Sequence, residues 1–431
     1  MIRFIYNLFW PFGLLIFLPG YFAKMIRRGG YREKFGQRVG IYDGAVRNRL
    51  SNQRSTWLHA VSVGEVNIAM KLGSALRALE PDLRCVLTTT TTTGFALARK
   101  TAPPWIEVMY TPLDYWPIML RAFSVIRPAR IVLVEAEVWP NLAAAAHARR
   151  IPLALVNARL SSRSERRYRQ FRFLVAPMFR LLDLVCVPDR GDVERWMALS
   201  VPRNRMHVTG SIKFDPDVQP QSVPVAASLW DASVKTTERL VLLGGSTHQG
   251  EEEILAKVFL RLREQFPSLR LFIAPRHVER LQEIRAQLGA LPLRVTLASE
   301  TLTRGATDAD CMLLDTTGEL QRWYGIATVV FVGKSLAAHG GQNPVEPIFA
   351  GKPVVFGPHM ENFATLAKTL VSKSAAMQVS DTEALERAVV ELLRDGEARQ
   401  RLVQNARAAL SEHEGATART AKLVHELGPR R

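Results

Sequence analysis

The chain has 431 residues, 47% of them hydrophobic and 23% charged, the balance of a folded globular protein, so bulk disorder is excluded. Its length allows two ordinary domains and an added segment. The formal net charge of +17 suits anionic partners (nucleic acid, acidic lipid or an acidic substrate) without choosing among them.

The first element is apolar. From Phe4 to Ala23 the sequence reads "FIYNLFWPFGLLIFLPGYFA", with no charged residue. Roughly 20 apolar residues match one bilayer crossing. Lys24, Arg27, Arg28, Arg32, Lys34 and Arg38 follow, opposed only by Glu33. Such a flank keeps the adjoining chain in the cytoplasm. Residues 1–24 are therefore expected to anchor the protein in a membrane. Pro11, Gly13, Pro19 and Gly20 leave two forms open, a spanning helix and a shallow interfacial segment.

From Thr56 onward, short β-rich runs alternate with helical patterns. The runs are "TWLHAVSV", "RCVLTTTT", "IEVMYTPL", "RIVLVEAE", "PLALVN", "DLVCVP" and "MHVTGS". Ala69, Leu72, Leu76 and Leu79 have the spacing of one helix face. Residues 214–237, rich in Pro, Ser and Asp, read as a linker. The alternation then resumes with "RLVLLGGS", "LRLFIAPR", "LRVTLA", "DCMLLDTT", "TVVFVGKS" and "KPVVFGP". Continuous apolar strands between helices predict parallel sheets covered on both faces. The expected fold is α/β, two doubly wound Rossmann-like domains over 25–213 and 238–431 facing a ligand cleft. Cys85, Cys186 and Cys311 each sit in an apolar run far from one another, as buried core thiols do.

Several residues in this frame carry chemistry. "HAVSVGEVN" (59–67) places Glu65 just past a strand-to-helix glycine. The carboxylate is either a favourable charge on the helix dipole or a base. In "VEAEVWP", Glu135 and Glu137 are two apart at a strand end, which predicts a shared face. Arg159, Arg163, Arg166, Arg167, Arg169 and Arg172 surround a single Glu165; the cluster is either an anion-binding face or a solvated one. The triplets "DPD" and "DAD" fall outside any nucleotide loop, and the nine histidines show no ligand spacing, so no metal is expected.

The motifs "HAVSVGEVN", "VEAEVWPNL", "VNARLSSRS", "VTGSIKFD", "GGSTHQGEEE", "APRHVER", "DTTGEL", "YGIATVVFVGKSL", "GGQNPVEP" and "GKPVVFGPHMENF" occur in that order. As a set they resemble the Kdo transferases, GT-B glycosyltransferases that move 3-deoxy-D-manno-octulosonic acid from CMP-Kdo to the lipid A precursor. The resemblance implies a membrane-bound enzyme with its catalytic domains on the cytoplasmic face of the inner membrane. The first domain then binds the acceptor lipid and the second the CMP-sugar. It implies inverting displacement with Glu65 as general base, Glu137 steadying the reacting centre and Lys213 neutralising charge. It assigns the CMP contacts to Pro275, Arg276, Gly318, Glu319, Leu320, Asn343, Pro344, Val345 and Glu346. CMP-Kdo is the donor substrate, and neither a cofactor nor a catalytic metal is implied.

Two positions depart from the family pattern. Gln342 stands where histidine is common, and Lys334 where a second glycine is common. Gln retains hydrogen bonding but cannot be cationic. The rival within the fold is a membrane enzyme using a UDP-sugar. A membrane-tethered nucleic-acid binder is disfavoured, since no platform of interleaved aromatic and basic residues is present.

Overall fold

The computed structural model describes residues 3–10, 12, 34–51, 54–136, 138–160, 162–216, 240–304, 308–316 and 319–427. The chain forms two compact units, Met1–Asp215 with Glu412–Arg431, and Pro216–Ser411.

The first unit is built on seven parallel strands: β1 (Ser55–Ala60), β2 (Cys85–Thr89), β3 (Ile106–Tyr110), β4 (Pro128–Val134), β5 (Leu153–Val156), β6 (Leu184–Val187) and β7 (Met206–Val208). Their spatial order is β3-β2-β1-β4-β5-β6-β7. Successive side chains go to opposite faces: Trp57 joins Ile131 and Leu133 in one core, Leu58 joins Val132 in the other. This explains the unbroken apolar runs. The order reverses between β1 and β4, so the carboxyl ends of those two strands flank the topological switch point, where doubly wound sheets bind ligands.

The second unit repeats the plan with β8 (Leu240–Thr247), β9 (Leu269–Pro275), β10 (Val295–Leu297), β11 (Cys311–Leu313), β12 (Val329–Val332), β13 (Val354–Phe356) and β14 (Met377–Gln378). The order is β10-β11-β9-β8-β12-β13-β14, which puts the switch point between β8 and β12. At that seam the backbones nearly touch: a Cβ on Gly333 would stand 2.3 Å from the Ser246 carbonyl oxygen. β14 has no counterpart among the expected strands. Two residues at a sheet edge leave too short a pattern to read.

All three cysteines are buried and free. Burial pushes the Cys85 and Cys186 thiols up to about 12, which suits inert core residues.

The structure corrects the expected boundary of the second domain at its C-terminal end. The helix Ala416–Glu426 belongs to the first unit, not to 238–431 as a whole. It packs on helix α1 (Val63–Leu79), where Ala421 and Val424 share a core with Leu72 and Leu76. Asp215 fixes its start, accepting the Gly415 and Thr417 N–H groups at 2.7 Å each. Arg419 donates to the Thr209 carbonyl at 2.8 Å. The expected linker lies mostly outside the described residues.

The expected anchor lies only partly within the described residues. Residues 3–10 are helical, and among the described residues no helix is long and apolar enough to cross a membrane. The rest of 1–24, residue 12 apart, lies outside the described residues. The described helix is docked on the first unit. Asn7 and Asn141 exchange amide hydrogen bonds at 2.9 Å, and Trp10 stacks on Tyr115 at 4.8 Å. Its apolar side is turned out, with Phe4 71% and Phe9 63% exposed.

Candidate functional site

Glu65 lies where the sequence puts it, in the first turn of α1 beyond the carboxyl end of β1. The local sequence Ser62-Val63-Gly64-Glu65 forms a capping box. Ser62 is the N-cap and accepts the Glu65 N–H at 3.4 Å. Glu65 Oε2 accepts the Val61 N–H, and Oε1 accepts the Ser62 hydroxyl, both at 2.8 Å. The carboxylate is buried and held in one orientation at the switch point.

Glu137 lies outside the described residues. The shared-face argument for Glu135 and Glu137 does not hold, because β4 ends at Val134 and Glu135 takes a left-handed backbone, φ 64°. Period-two alternation stops there. Glu135 instead faces a positive neighbourhood. Burial raises its carboxyl above the usual range, while Arg159 and Lys213 pull it back. Burial likewise lowers the Lys213 ammonium; Glu135 opposes that shift and Arg159 adds to it. The mutual attraction of Glu135 and Lys213 is common to both, in a half-buried setting where charge acts strongly.

Lys213 sits in a single 3-10 turn, Ile212–Phe214. Asn157, also left-handed at φ 51°, positions that turn. Its Oδ1 accepts both the Ser211 hydroxyl and the Ile212 N–H at 3.1 Å. The buried Asn157 Nδ2 has no hydrogen-bond partner among the described residues. The Ser211 N–H also donates to His413 Nδ1 at 3.3 Å, so the returning C-terminal segment helps hold the lysine.

In the second unit the candidates occupy the carboxyl-end loops. Pro275 ends β9 and is buried, whereas Arg276 is exposed and its guanidinium makes no hydrogen bond or ion pair among the described residues. Glu319 starts the short helix Leu320–Tyr324 and pairs with Arg322 at 3.2 Å. Gly318 lies outside the described residues. Asn343 organises the next segment, its Oδ1 accepting the Val345 N–H and its Nδ2 donating to Glu346 Oε1, both at 3.0 Å. Pro344 and Val345 are buried beneath them. The predicted contact segments are thus brought to one end of the sheet, on the loops after β9, β11 and β12.

Sequence reasoning assigned no role to Glu251. It is fully buried at the start of helix α2 (Glu251–Leu262). Its Oε2 accepts from His248 N and Lys334 N, and its Oε1 from Ser335 N and Leu336 N, at 2.7–3.0 Å. One carboxylate therefore fixes the loop after β12, which then leads to Asn343. Beside it, buried Glu252 accepts from Thr247 Oγ1 at 3.0 Å and from Arg280 at 3.2 Å. The run "GEEE" was the available signal, but it reads equally as acids favouring a helix N-terminus. A broad open groove of about 1100 Å³ runs along β7, lined by residues such as Arg190, His207 and Arg419. It holds none of the candidate residues, so the strand-end geometry, not this groove, defines the site.

These two parallel sheets, with candidate residues at their carboxyl ends, define an α/β fold of the GT-B kind. A solved structure with this fold is MurG of Acinetobacter baumannii, similar at TM-score 0.53 and 15% identity over 87% of this chain and all of that one. The family model described as 3-deoxy-D-manno-octulosonic-acid transferase (kdotransferase) matches residues 33–216, and that described as glycosyl transferases group 1 matches 247–409. Several relatives carry the name 3-deoxy-D-manno-octulosonic acid transferase, two of them as follows. That of Haemophilus influenzae is 33% identical over 91% of each chain, and that of Bordetella pertussis 34% over 86% of each. The chain belongs to the Kdo transferase family.

Proposed function

We propose that this enzyme transfers Kdo from CMP-Kdo to the anionic lipid A precursor lipid IVA in lipopolysaccharide core biosynthesis, at the cytoplasmic face of the inner membrane. The reading rests on family membership and is carried by one observation. The described motif residues of both halves lie at the carboxyl ends of their sheets, with Glu65 and Glu135 at one switch point and the loop after β12 at the other. In this reading an acceptor hydroxyl attacks the anomeric carbon with inversion, and CMP departs with the bonding electrons. Glu65 takes the hydroxyl proton, its carboxylate aimed by the capping box. Lys213 offsets negative charge and Glu137 steadies the reacting centre. Arg276, Glu319 and Glu346, with Pro275, Gly318, Leu320, Asn343, Pro344 and Val345, hold CMP.

The membrane assignment draws on the exposed apolar side of the N-terminal helix and on a second exposed patch. Phe173, 70% exposed, and Leu174 lie beside exposed Arg166, Arg167, Arg169 and Arg172. Aromatic and basic residues together favour an anionic lipid surface.

Incubation of the full chain with CMP-Kdo and tetraacylated precursor, followed by mass analysis, tests the reaction. CMP should raise the melting temperature and UDP should not, because a ligand stabilises only a fold that binds it. Arg276→Ala should weaken CMP binding by about 10- to 150-fold, the loss of one charged hydrogen bond worth about 1.5–3 kcal/mol. Protection by UDP alone would replace the donor assignment.

A further inference from the structure

The loop after β12 and the loop after β13 are fastened together. His359 N donates to the Ser335 carbonyl at 2.9 Å, and Asn362 N to the Gly340 carbonyl at 2.8 Å. The bond between them that matters most is from Gly340 N to Glu361 Oε2, at 2.7 Å. It ties one carboxylate oxygen down and turns the other toward two imidazoles. Glu361 Oε1 lies 3.3 Å from His339 Nδ1 and 3.6 Å from His359 Nδ1. The two rings are 3.7 Å apart between centroids. One ligand atom from each of the three residues fits within 4.8 Å of the other two.

These distances have a chemical reading. Zinc binds imidazole nitrogen at about 2.0–2.1 Å and carboxylate oxygen at about 2.0–2.2 Å, and tetrahedral angles then separate neighbouring ligand atoms by about 3.3 Å. The two nitrogen–oxygen separations need to change by only a few tenths of an ångström, and the three ligand atoms already lie within 4.8 Å of one another. As a hydrogen-bond cluster the trio is incomplete: Glu361 Oε1 meets His339 Nδ1 at 3.3 Å, whereas His359 Nδ1, at 3.6 Å on a ring tilted 45° to the first, stands just beyond hydrogen-bond reach. One divalent cation satisfies all three groups together. The Gly340 N–H supplies the outer-sphere bond that orients a ligating carboxylate.

We propose that His339, His359 and Glu361 form a Zn²⁺ site that clamps the loop after β12 to the loop after β13. Two imidazoles and a carboxylate are a nitrogen–oxygen set suited to zinc, and three protein ligands leave a fourth position for water or an anionic ligand. The sequence expectation of no metal missed this trio because His339 and His359 are separated by a strand and a short helix. Only the sheet, by setting β12 beside β13, brings them together. The clamp lies on the loop that carries Asn343 and Glu346, yet its existence does not depend on the donor those residues bind.

The test uses the untagged full chain, stripped with chelator and titrated calorimetrically with Zn²⁺ alone. One ion per chain is expected. Loss of an orienting partner alone weakens metal sites about 10- to 100-fold, so His339→Ala, His359→Ala and Glu361→Gln should each weaken binding at least about tenfold. The double variant His339→Ala/His359→Ala should bind no stoichiometric ion. Glu361→Gln keeps an acceptor for Gly340 N and guards against loss of the loop itself. Co²⁺ should give the visible absorption of a tetrahedral site in the parent chain, lost in the double variant. Absence of a stoichiometric ion in the parent chain, or undiminished affinity in a folded double variant, overturns the proposal.

Discussion

Lys334 donates its backbone N–H to Glu251 Oε2 at 2.7 Å, across a sequence gap of 83 residues. The same carboxylate accepts three more N–H groups, from His248, Ser335 and Leu336. Glu251→Gln halves the oxygen atoms and turns an amide donor toward two N–H donors. A buried donor left unpaired costs about 1–3 kcal/mol. Urea unfolding of Glu251→Gln should therefore show a loss of at least about 2 kcal/mol. A change below about 0.5 kcal/mol would mean that the loop after β12 does not depend on this anchor.

Lys334 itself holds φ at 59°, a conformation that L side chains avoid. Glycine adopts such a left-handed backbone without steric cost. Such a conformation costs a non-glycine residue about 1–2 kcal/mol, while glycine's freedom in the unfolded chain takes back about 0.4–1 kcal/mol. Lys334→Gly should leave the melting temperature unchanged or raise it slightly. A clear fall would show that the lysine side chain contributes a stabilising contact larger than the backbone strain.

What the sequence revealed and what it hid divide along physical lines. The strands were legible because parallel strands covered on both faces keep an unbroken apolar run, as in Trp57-Leu58 and Val330-Phe331. The place of Glu65 was legible for the same reason, since a strand end, a glycine and a helix start are all local. Glu135 was misread because one left-handed residue ends the alternation that the argument assumed. The docking of the helix Ala416–Glu426 depends on Asp215 and on the α1 surface, both about 200 residues or more away in sequence. Glu251 and the His339–His359–Glu361 trio acquire their meaning only from groups that the sheet brings to them.

His59 offers a test of the buried seam beneath the site. It is sealed within β1, with Nδ1 3.0 Å from Thr88 Oγ1, and burial pulls its imidazole down to about 4. An unfolded histidine titrates near 6.5. Between those values the unfolded chain takes up a proton that the native state refuses. Stability is therefore intact above about pH 6.5 and falls as pH drops toward 4, by about 1.4 kcal/mol per unit from this group. Whatever His59→Asn costs at pH 8, its stability should decline less steeply over that window than the parent chain's. Parallel slopes would show that His59 is not excluded from protonation.

Glu65 separates two roles that one residue holds in the structure, helix capping and, in the proposed reaction, proton abstraction. Glu65→Gln preserves most of the first. The amide oxygen can accept the Val61 N–H, and the amide nitrogen can donate to Ser62 Oγ in place of the hydroxyl's donation. The fold and CMP binding should therefore persist, with a stability change within the range of about 0.5–2 kcal/mol for a disturbed cap. Proton abstraction is lost outright, and turnover should fall about 10²–10⁴-fold. Glu65→Ala should match that fall in turnover and add the full cost of the cap, so the pair of variants distinguishes chemistry from stability. Melting temperature, CMP affinity and transfer rate measured on both proteins decide the matter. Near-normal transfer by folded Glu65→Gln would leave the carboxylate as the third residue of a capping box and send the search for the base to Glu135 and Glu137.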